Sequence, residues 1–280
     1  MNRLANIQPR ISSNVAVKAL TIDIERLPGQ VSVQHRGFTI DGPVWDLNAL
    51  KHIIGRRIHA DDVIEWPRTI CAAARWYGDE EVMFAAEWEV GGYDAFMREV
   101  WSWVDEADIL IGHNMAAFDS KHLMSGWAEM GLPAPSPYKV IDTLKIARGS
   151  LNMESNTLDS LAKRLGVDAK TDKYDARTAK AAVDGDKAAQ EKLAEYNKGD
   201  IIASEALFDR LRPYAKGLPH LGMWSDDPLA CPSCGTTMQQ TGRTVHALVQ
   251  AYEGYQCPAC GAHARGTTKL KQPTATRGIS

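Results

Sequence analysis

Cys231-Pro232-Ser233-Cys234-Gly235 and Cys257-Pro258-Ala259-Cys260-Gly261 are near-duplicates, with 22 residues between the two cysteine pairs. Each run places two thiolates on a tight turn, and the glycine supplies a permissive backbone after it. Two such turns brought together offer four thiolates in a tetrahedron, the ligand set of structural zinc. The alternative for a C-x-x-C pair is a redox dithiol, but neither pair follows a βαβ pattern of the thioredoxin kind. Four thiolates close the site, which leaves His246 and His263 outside it. A segment this short cannot bury a core of its own, so one bound Zn²⁺ has to supply its stability. The alternating residues 245–255 are expected to form one short strand between the knuckles.

The remaining chain must therefore build its own core. At 280 residues and 44% hydrophobic, the sequence supports one good-sized core plus the small cysteine module. Residues 15–24 are apolar and β-branched and read as a buried strand, broken by Pro28-Gly29. Residues 30–66 have no clean periodicity and read as an irregular excursion, with a short helix near 47–54. Strands at 69–77 and 81–89, joined at Gly78-Asp79, make a hairpin. Cys71 falls in this apolar run and reads as a buried small hydrophobe. A helix over 93–107, a strand at 108–112, a helix over 117–130 and a strand at 138–141 follow. Asp142 can cap the next helix, and Thr157 and Gly166 bracket another. Residues 169–187 are polar, and 186–214 form a long amphipathic helix. This order predicts an α/β fold around one mixed sheet, in a domain of residues 1–220, followed by the cysteine module at 221–280.

The net charge of −3 is unevenly spread. From Leu229 onward five Lys/Arg face one acid, so the body is acidic and the tail basic. An acidic body with a basic tail suits an enzyme that holds cations in its site and a tail that meets phosphates; a merely solvated tail is the plainer alternative. No apolar run approaches the length of a membrane span, and the first residues lack the apolar stretch of a secretion signal. A cytoplasmic location, with no membrane partner, is the expectation.

Three acidic motifs stand out. Asp23-Ile24-Glu25 closes the first strand, where i and i+2 point to one face. Two carboxylates there, among apolar neighbours, repel each other unless a cation sits between them, and Mg²⁺ takes such oxygen ligands. Gly112-His113-Asn114-Met115-Ala116-Ala117-Phe118-Asp119 spans a strand-to-helix turn and leaves Asp119 in the first helical turn, favoured by the helix dipole. Tyr196-Asn197-Lys198-Gly199-Asp200 sets a phenol and a carboxylate one helical turn apart. Each motif is weak alone; Asp79-x-Glu81 also matches the first and reads as a solvated turn.

Taken in order, D-x-E, G-H-N-x-x-x-F-D and Y-x-x-x-D resemble the DEDD exonucleases, the superfamily that includes polymerase proofreading domains. Val140-Ile141-Asp142-Thr143-Leu144, Thr157-Leu158-Asp159-Ser160-Leu161-Ala162 and Gly185-Asp186 ahead of Glu195-Tyr196 are similar to that family too, so the resemblance covers about residues 17–215. Tyr196 points to the DEDDy branch. The excursion after the first strand and Pro67-Arg68-Thr69-Ile70 look like standalone phage exonucleases. The resemblance implies an RNase H-like mixed five-stranded sheet flanked by helices, with the cysteine module as a zinc ribbon. It implies two Mg²⁺ or Mn²⁺ ions held by Asp23, Glu25, Asp119 and Asp200, with Tyr196 orienting the attacking water. The expected reaction is 3′→5′ release of nucleoside 5′-monophosphates from DNA in phage or bacterial replication, recombination or repair, in the host cytoplasm if phage-encoded. The same chemistry on RNA and a non-catalytic nucleic-acid adaptor are the rival readings. Substrate contacts are expected from Arg26, Leu27, Asn114 and Phe118. The family usually has Thr or Ser where this chain has Arg26, which leaves Arg26 two readings: a phosphate contact or an ion pair with a nearby acid. The ribbon is expected to meet DNA, dock a replication or recombination protein, or cap the domain. Trp45, Trp66 and Trp127 offer rings for base stacking, but core packing is the expectation for each.

Overall fold

The strand expected at the head of the chain spans Ala19–Leu27 (β1), and it becomes the centre of the main sheet. The computed structural model describes residues 17–35, 38–44, 55, 59–89, 91–167, 174–247 and 249–270. Further strands are Gly29–His35 (β2), Phe38–Val44 (β3), Val63–Glu65 (β4), Arg68–Trp76 (β5), Met83–Ala86 (β6), Ile109–Gly112 (β7) and Lys139–Asp142 (β8). The helices are Tyr93–Asp105 (α1), Asp119–Glu129 (α2), Thr143–Ser150 (α3), Leu158–Leu165 (α4), Ala176–Val183 (α5) and Lys187–Leu211 (α6). The C-terminal module adds Gln239–Ala247 (β9), Gln250–Gln256 (β10) and His263–Lys269 (β11).

The main sheet runs β6-β5-β1-β7-β8, antiparallel from β6 to β1 and parallel from β1 to β8. It is the mixed five-stranded RNase H-like sheet, flanked by helices. β1 alternates. Leu20, Ile22 and Ile24 pack under α1 and α2 with Phe96, Val100, Leu123 and Trp127. The odd-numbered residues face the other side, where Ala19 joins a core with Ile109, Leu161, Leu207 and Phe208. Asp23 and Glu25 thus belong to the face that α6 covers.

Buried ion pairs fix α6 on that face. Arg75 of β5 grips Glu205 through Nε at 3.0 Å and a terminal nitrogen at 2.5 Å. Two turns on, the fully buried Arg212 reaches Asp209 and the Tyr77 hydroxyl, its guanidinium stacked on Tyr77 and Phe208. Charges this deep are worth more as register marks than as net stability. They hold the helix at one rotation, the one that turns Tyr196, Asn197 and Asp200 toward β1.

Two expectations are corrected, and the polar stretch holds a further helix. Residues 30–66 are not irregular throughout: β3, β2 and β4 form a separate antiparallel sheet. The helix expected near 47–54, and Trp45, lie outside the described residues. Within 169–187 the chain makes α5, capped by the Asp175 carboxylate on the Arg177 N–H at 3.2 Å. Residues 245–255 are not one strand but parts of β9 and β10, which pair antiparallel across a turn, with β11 on the far side of β10. Among the described residues, no helix is long and apolar enough to cross a membrane.

Candidate active site and metal centre

The carboxylates of Asp23, Glu25 and Asp200 each place an oxygen within 4.8 Å of the other two. Asp23 and Glu25 share a face of β1, and Asp200 comes from the middle of α6. Three anions this close, with Glu25 buried, repel one another unless protons or a cation intervene. Oxygen-only ligands at this spacing fit a hard divalent ion such as Mg²⁺.

Asn197 completes the junction and was not singled out by sequence. Its side chain is fully buried and donates from Nδ2 to Asp23 Oδ2 at 2.7 Å and to the Asp23 carbonyl at 3.3 Å. That contact fixes the Asp23 carboxylate against α6. The signal available in sequence was only its place three residues before Asp200, on the same helical face.

Asp119 opens α2 and is almost fully buried. Its Oδ1 accepts the Ile24 backbone N–H at 3.3 Å, so it reaches the strand between Asp23 and Glu25. It is tied to the backbone beside the three-acid cluster rather than counted in it. Burial pushes its pKa up to about 7, with hydrogen bonds from its own backbone and that of Ile24 opposing and Asp142 adding to the rise.

The turn that aims Asp119 is built with care. A side chain on Gly112 would place its Cβ 2.6 Å from Met115 Cε and 3.1 Å from the Ile22 carbonyl, so the close approach to β1 needs glycine. Asn114 takes the left-handed conformation at φ 65°, which asparagine tolerates. Asp142 does more than cap α3. Its carboxylate accepts from Leu144 and Lys145 N–H at 3.1 and 3.3 Å, and also from Asn114 and Ala116 N–H at 3.1 and 3.2 Å. His113 is structural: Nε2 donates to the Asn156 carbonyl and Nδ1 meets Thr143 Oγ1, both at 2.9 Å. Burial lowers its pKa, which favours the neutral ring.

Tyr196 stands one turn before Asp200, half-buried. Burial pushes its phenol well above the ordinary value, and Asp200, Glu25 and Asp23 push it the same way, while a backbone hydrogen bond from Tyr174 opposes. A phenol so placed stays protonated at neutral pH and can donate a hydrogen bond. Tyr174 also closes the site from the α5 side, donating to the Arg26 carbonyl at 2.5 Å.

The expected substrate residues divide. Phe118 is 38% exposed, its ring edge-on to His122 with centroids 4.6 Å apart. Arg26 is half-buried, one terminal nitrogen 3.3 Å from His122 Nε2 and the other donating to the Pro67 carbonyl at 3.2 Å. Among the described residues no carboxylate comes within ion-pair distance of it, and the Glu129 carboxylate acts on it through space. Asn114 is committed to the turn through its backbone. Leu27 is corrected: its side chain is buried with Ile70, Ala179, Ala182 and Leu193, out of reach of a substrate.

In the C-terminal module Cys231, Cys234, Cys257 and Cys260 converge, every sulfur within 4.8 Å of the others. Cys231 and Cys260 sulfurs are 3.7 Å apart, and Cys234 and Cys257 sulfurs 3.5 Å. Disulfide sulfurs stand about 2 Å apart, so these are four thiols. Ligands about 2.3 Å from a tetrahedral ion stand about 3.8 Å apart, which matches. Crowding splits their acidities: hydrogen bonding from Cys231 pulls Cys234 far down and pushes Cys260 far up.

The raised pKa of Asp119 predicts a stability effect. A carboxyl whose folded-state value exceeds its unfolded value carries no penalty below about pH 4 and a growing one up to about pH 7, complete above it. In metal-free protein Asp119→Asn is therefore expected to raise Tm by several degrees at pH 8 and to change it little at pH 4. Thermal unfolding in EDTA at both pH values checks this; an equal shift at both would refute burial of the charge as its cause.

The RNase_H superfamily model matches residues 70–212, just over half of the chain, beginning after the strand that carries Asp23 and Glu25. No curated protein matches the chain. Among solved structures it is similar to the family B DNA polymerase of the hyperthermophilic archaeon Pyrobaculum calidifontis, at 18% identity and a TM-score of 0.49. That match covers 70% of this chain and 25% of the polymerase, so the chain spans about a quarter of the polymerase's length. With the mixed sheet in place and the family model matched across its helices, the chain belongs to the RNase H superfamily.

Proposed function

We propose that the chain is a metal-dependent 3′→5′ exonuclease that releases nucleoside 5′-monophosphates from DNA 3′ ends, in phage or bacterial replication, recombination or repair. The observation that carries this reading is the convergence of Asp23, Glu25 and Asp200 beside the buried Asp119, with a protonated phenol one turn away. Asp23, Glu25, Asp119 and Asp200 would hold two Mg²⁺ or Mn²⁺ ions. Bound there, the ions supply an activated water and offset charge on the leaving oxygen. The chain's own groups do the rest. Asn197 holds Asp23 in place, the Gly112–Asp142 turn aims Asp119, and the Tyr196 hydroxyl orients the attacking water by donating a hydrogen bond. The nuclease domain occupies residues 1–220. Residues 221–280 form a zinc ribbon whose basic tail meets DNA or a replication protein.

Tyr196→Phe keeps the packed ring and loses one hydrogen bond. Its single-turnover rate is expected to fall about 10²–10³-fold, with metal and DNA affinity nearly unchanged. Equal rates at saturating Mg²⁺ would remove Tyr196 from the mechanism. The function itself is tested by chromatography of products from single-stranded DNA, duplex DNA and RNA. Nucleoside 5′-monophosphates from DNA with Mg²⁺, and none with EDTA, are expected. Release from RNA alone would reassign the substrate.

A further inference from the structure

Trp66 breaks the rule that a tryptophan packs into the core. It is 56% exposed, and Ile64, two residues earlier on the same extended segment, is 70% exposed. Trp127 obeys the rule: it is buried, and its Nε1–H donates to the Met97 carbonyl at 2.9 Å.

The backbone beneath Trp66 is braced on both sides. A Cβ on Gly29 would fall 2.5 Å from the Glu65 carbonyl and 2.7 Å from Pro67 Cδ, so β2 is pressed against residues 65–67. Arg68 binds Glu87 through two hydrogen bonds of 2.9 Å and reaches back to Glu65. A large apolar ring is thus displayed from a fixed segment, which lowers the ordering cost of using it.

The same segment leads to the acidic cluster. The Pro67 carbonyl holds the guanidinium of Arg26, and Arg26 follows Glu25 in β1. That guanidinium has neutral partners, the Pro67 carbonyl and His122, and its buried Nε has no hydrogen-bond partner. It is a cation hydrogen-bonded to neutral groups, with the Glu129 carboxylate acting on it through space, and Pro67 joins it to the segment that carries the exposed Trp66. Single-stranded nucleic acid offers both complements at once, a base face for stacking and a phosphate for the cation. A protein partner would need about 800 Å² of complementary surface on this side, whereas two exposed apolar side chains make a small patch.

We propose that Trp66 is a base-stacking platform for single-stranded nucleic acid approaching the acidic cluster, and that Arg26 takes the adjoining phosphate. This rests on the nuclease reading above. It also gives the separate sheet of β2, β3 and β4 a role, as the wall that presents the platform. A base pair inside a duplex shows no free face, so the contact favours single strands.

The test uses the full chain with Ca²⁺ in place of Mg²⁺ and a fluorescein-labelled single-stranded oligonucleotide, read by anisotropy. Trp66→Ala is expected to raise Kd about tenfold and Trp66→Phe about twofold. Affinity for a blunt duplex is expected to change less than twofold in Trp66→Ala. Wild-type affinity for the single strand in Trp66→Ala, or equal losses on both nucleic acids, would overturn the proposal. Failure of the nuclease reading is distinguishable: the chain would bind in this Trp66-dependent way and release no nucleotide with Mg²⁺. No measurable binding by the wild type overturns both.

Discussion

Asp23→Asn is expected to cut metal-dependent nucleotide release by at least about a thousandfold while leaving the chain folded. Asparagine keeps the shape of the side chain, and its carbonyl oxygen still accepts the Asn197 Nδ2 hydrogen bond seen at 2.7 Å. What it lacks is the charge. Asp23 is packed with Glu25 and Asp200, so it would be a ligand at the heart of the metal site. Losing several kcal/mol of transition-state charge stabilisation translates to about three or more powers of ten in rate. Steady-state release of nucleotides, with thermal unfolding to show an unchanged fold, measures this. Activity within tenfold of wild type would remove the three-acid cluster from catalysis.

Replacement of Cys257 by serine is expected to cost the C-terminal module its fold and leave the main sheet untouched. Among the described residues of that module, the buried cluster gathers the four cysteines and Met238, a core too small to stand without metal. Structural zinc contributes about 10–16 kcal/mol in comparable peptide sites, so losing one of four ligands is decisive. One zinc per wild-type chain by atomic absorption is the expected count. In Cys257→Ser the metal should be gone and residues 229–270 should become protease-sensitive, with nucleotide release retained. A metal-free wild-type module that resists protease would contradict the assignment.

The parts of this protein that were legible in sequence share a short-range cause. Asp23 and Glu25 could be placed together because a strand has period two. The Gly112–Asp119 turn could be read because a buried strand gives way to a helical pattern within a few residues. The cysteine knuckles carry their geometry in their spacing. The missed elements lack such signals. β2 buries Val31 and Val33 between polar neighbours, too short an alternation to stand out beside Pro28 and Gly29. α5 buries only Ala179 and Ala182, which leave no apolar stripe of ordinary size. β11 reads His-Ala-Arg-Gly-Thr-Thr-Lys and is a strand because β10 pairs with it. Long-range contacts were invisible for the same reason. Asn197 meets Asp23 across 174 positions, and Arg26 finds His122 across 96. Leu27 follows the odd-numbered face of β1 that carries Asp23 and Glu25, but there α5 and α6 cover it with Ala179, Ala182 and Leu193, a contact no local pattern announces.

The claim that this acidic site trims nucleic acid from the 3′ end is tested most directly with a 5′-labelled single-stranded DNA oligonucleotide and its 3′-labelled twin. With Mg²⁺ the 5′-labelled strand should shorten through a ladder of one-nucleotide steps, while the 3′ label should leave at once as a mononucleotide. Both should be stopped by EDTA and lost in Asp23→Asn. Internal cuts as first products, release of the 5′ label first, or intact strands with both Mg²⁺ and Mn²⁺ would contradict it.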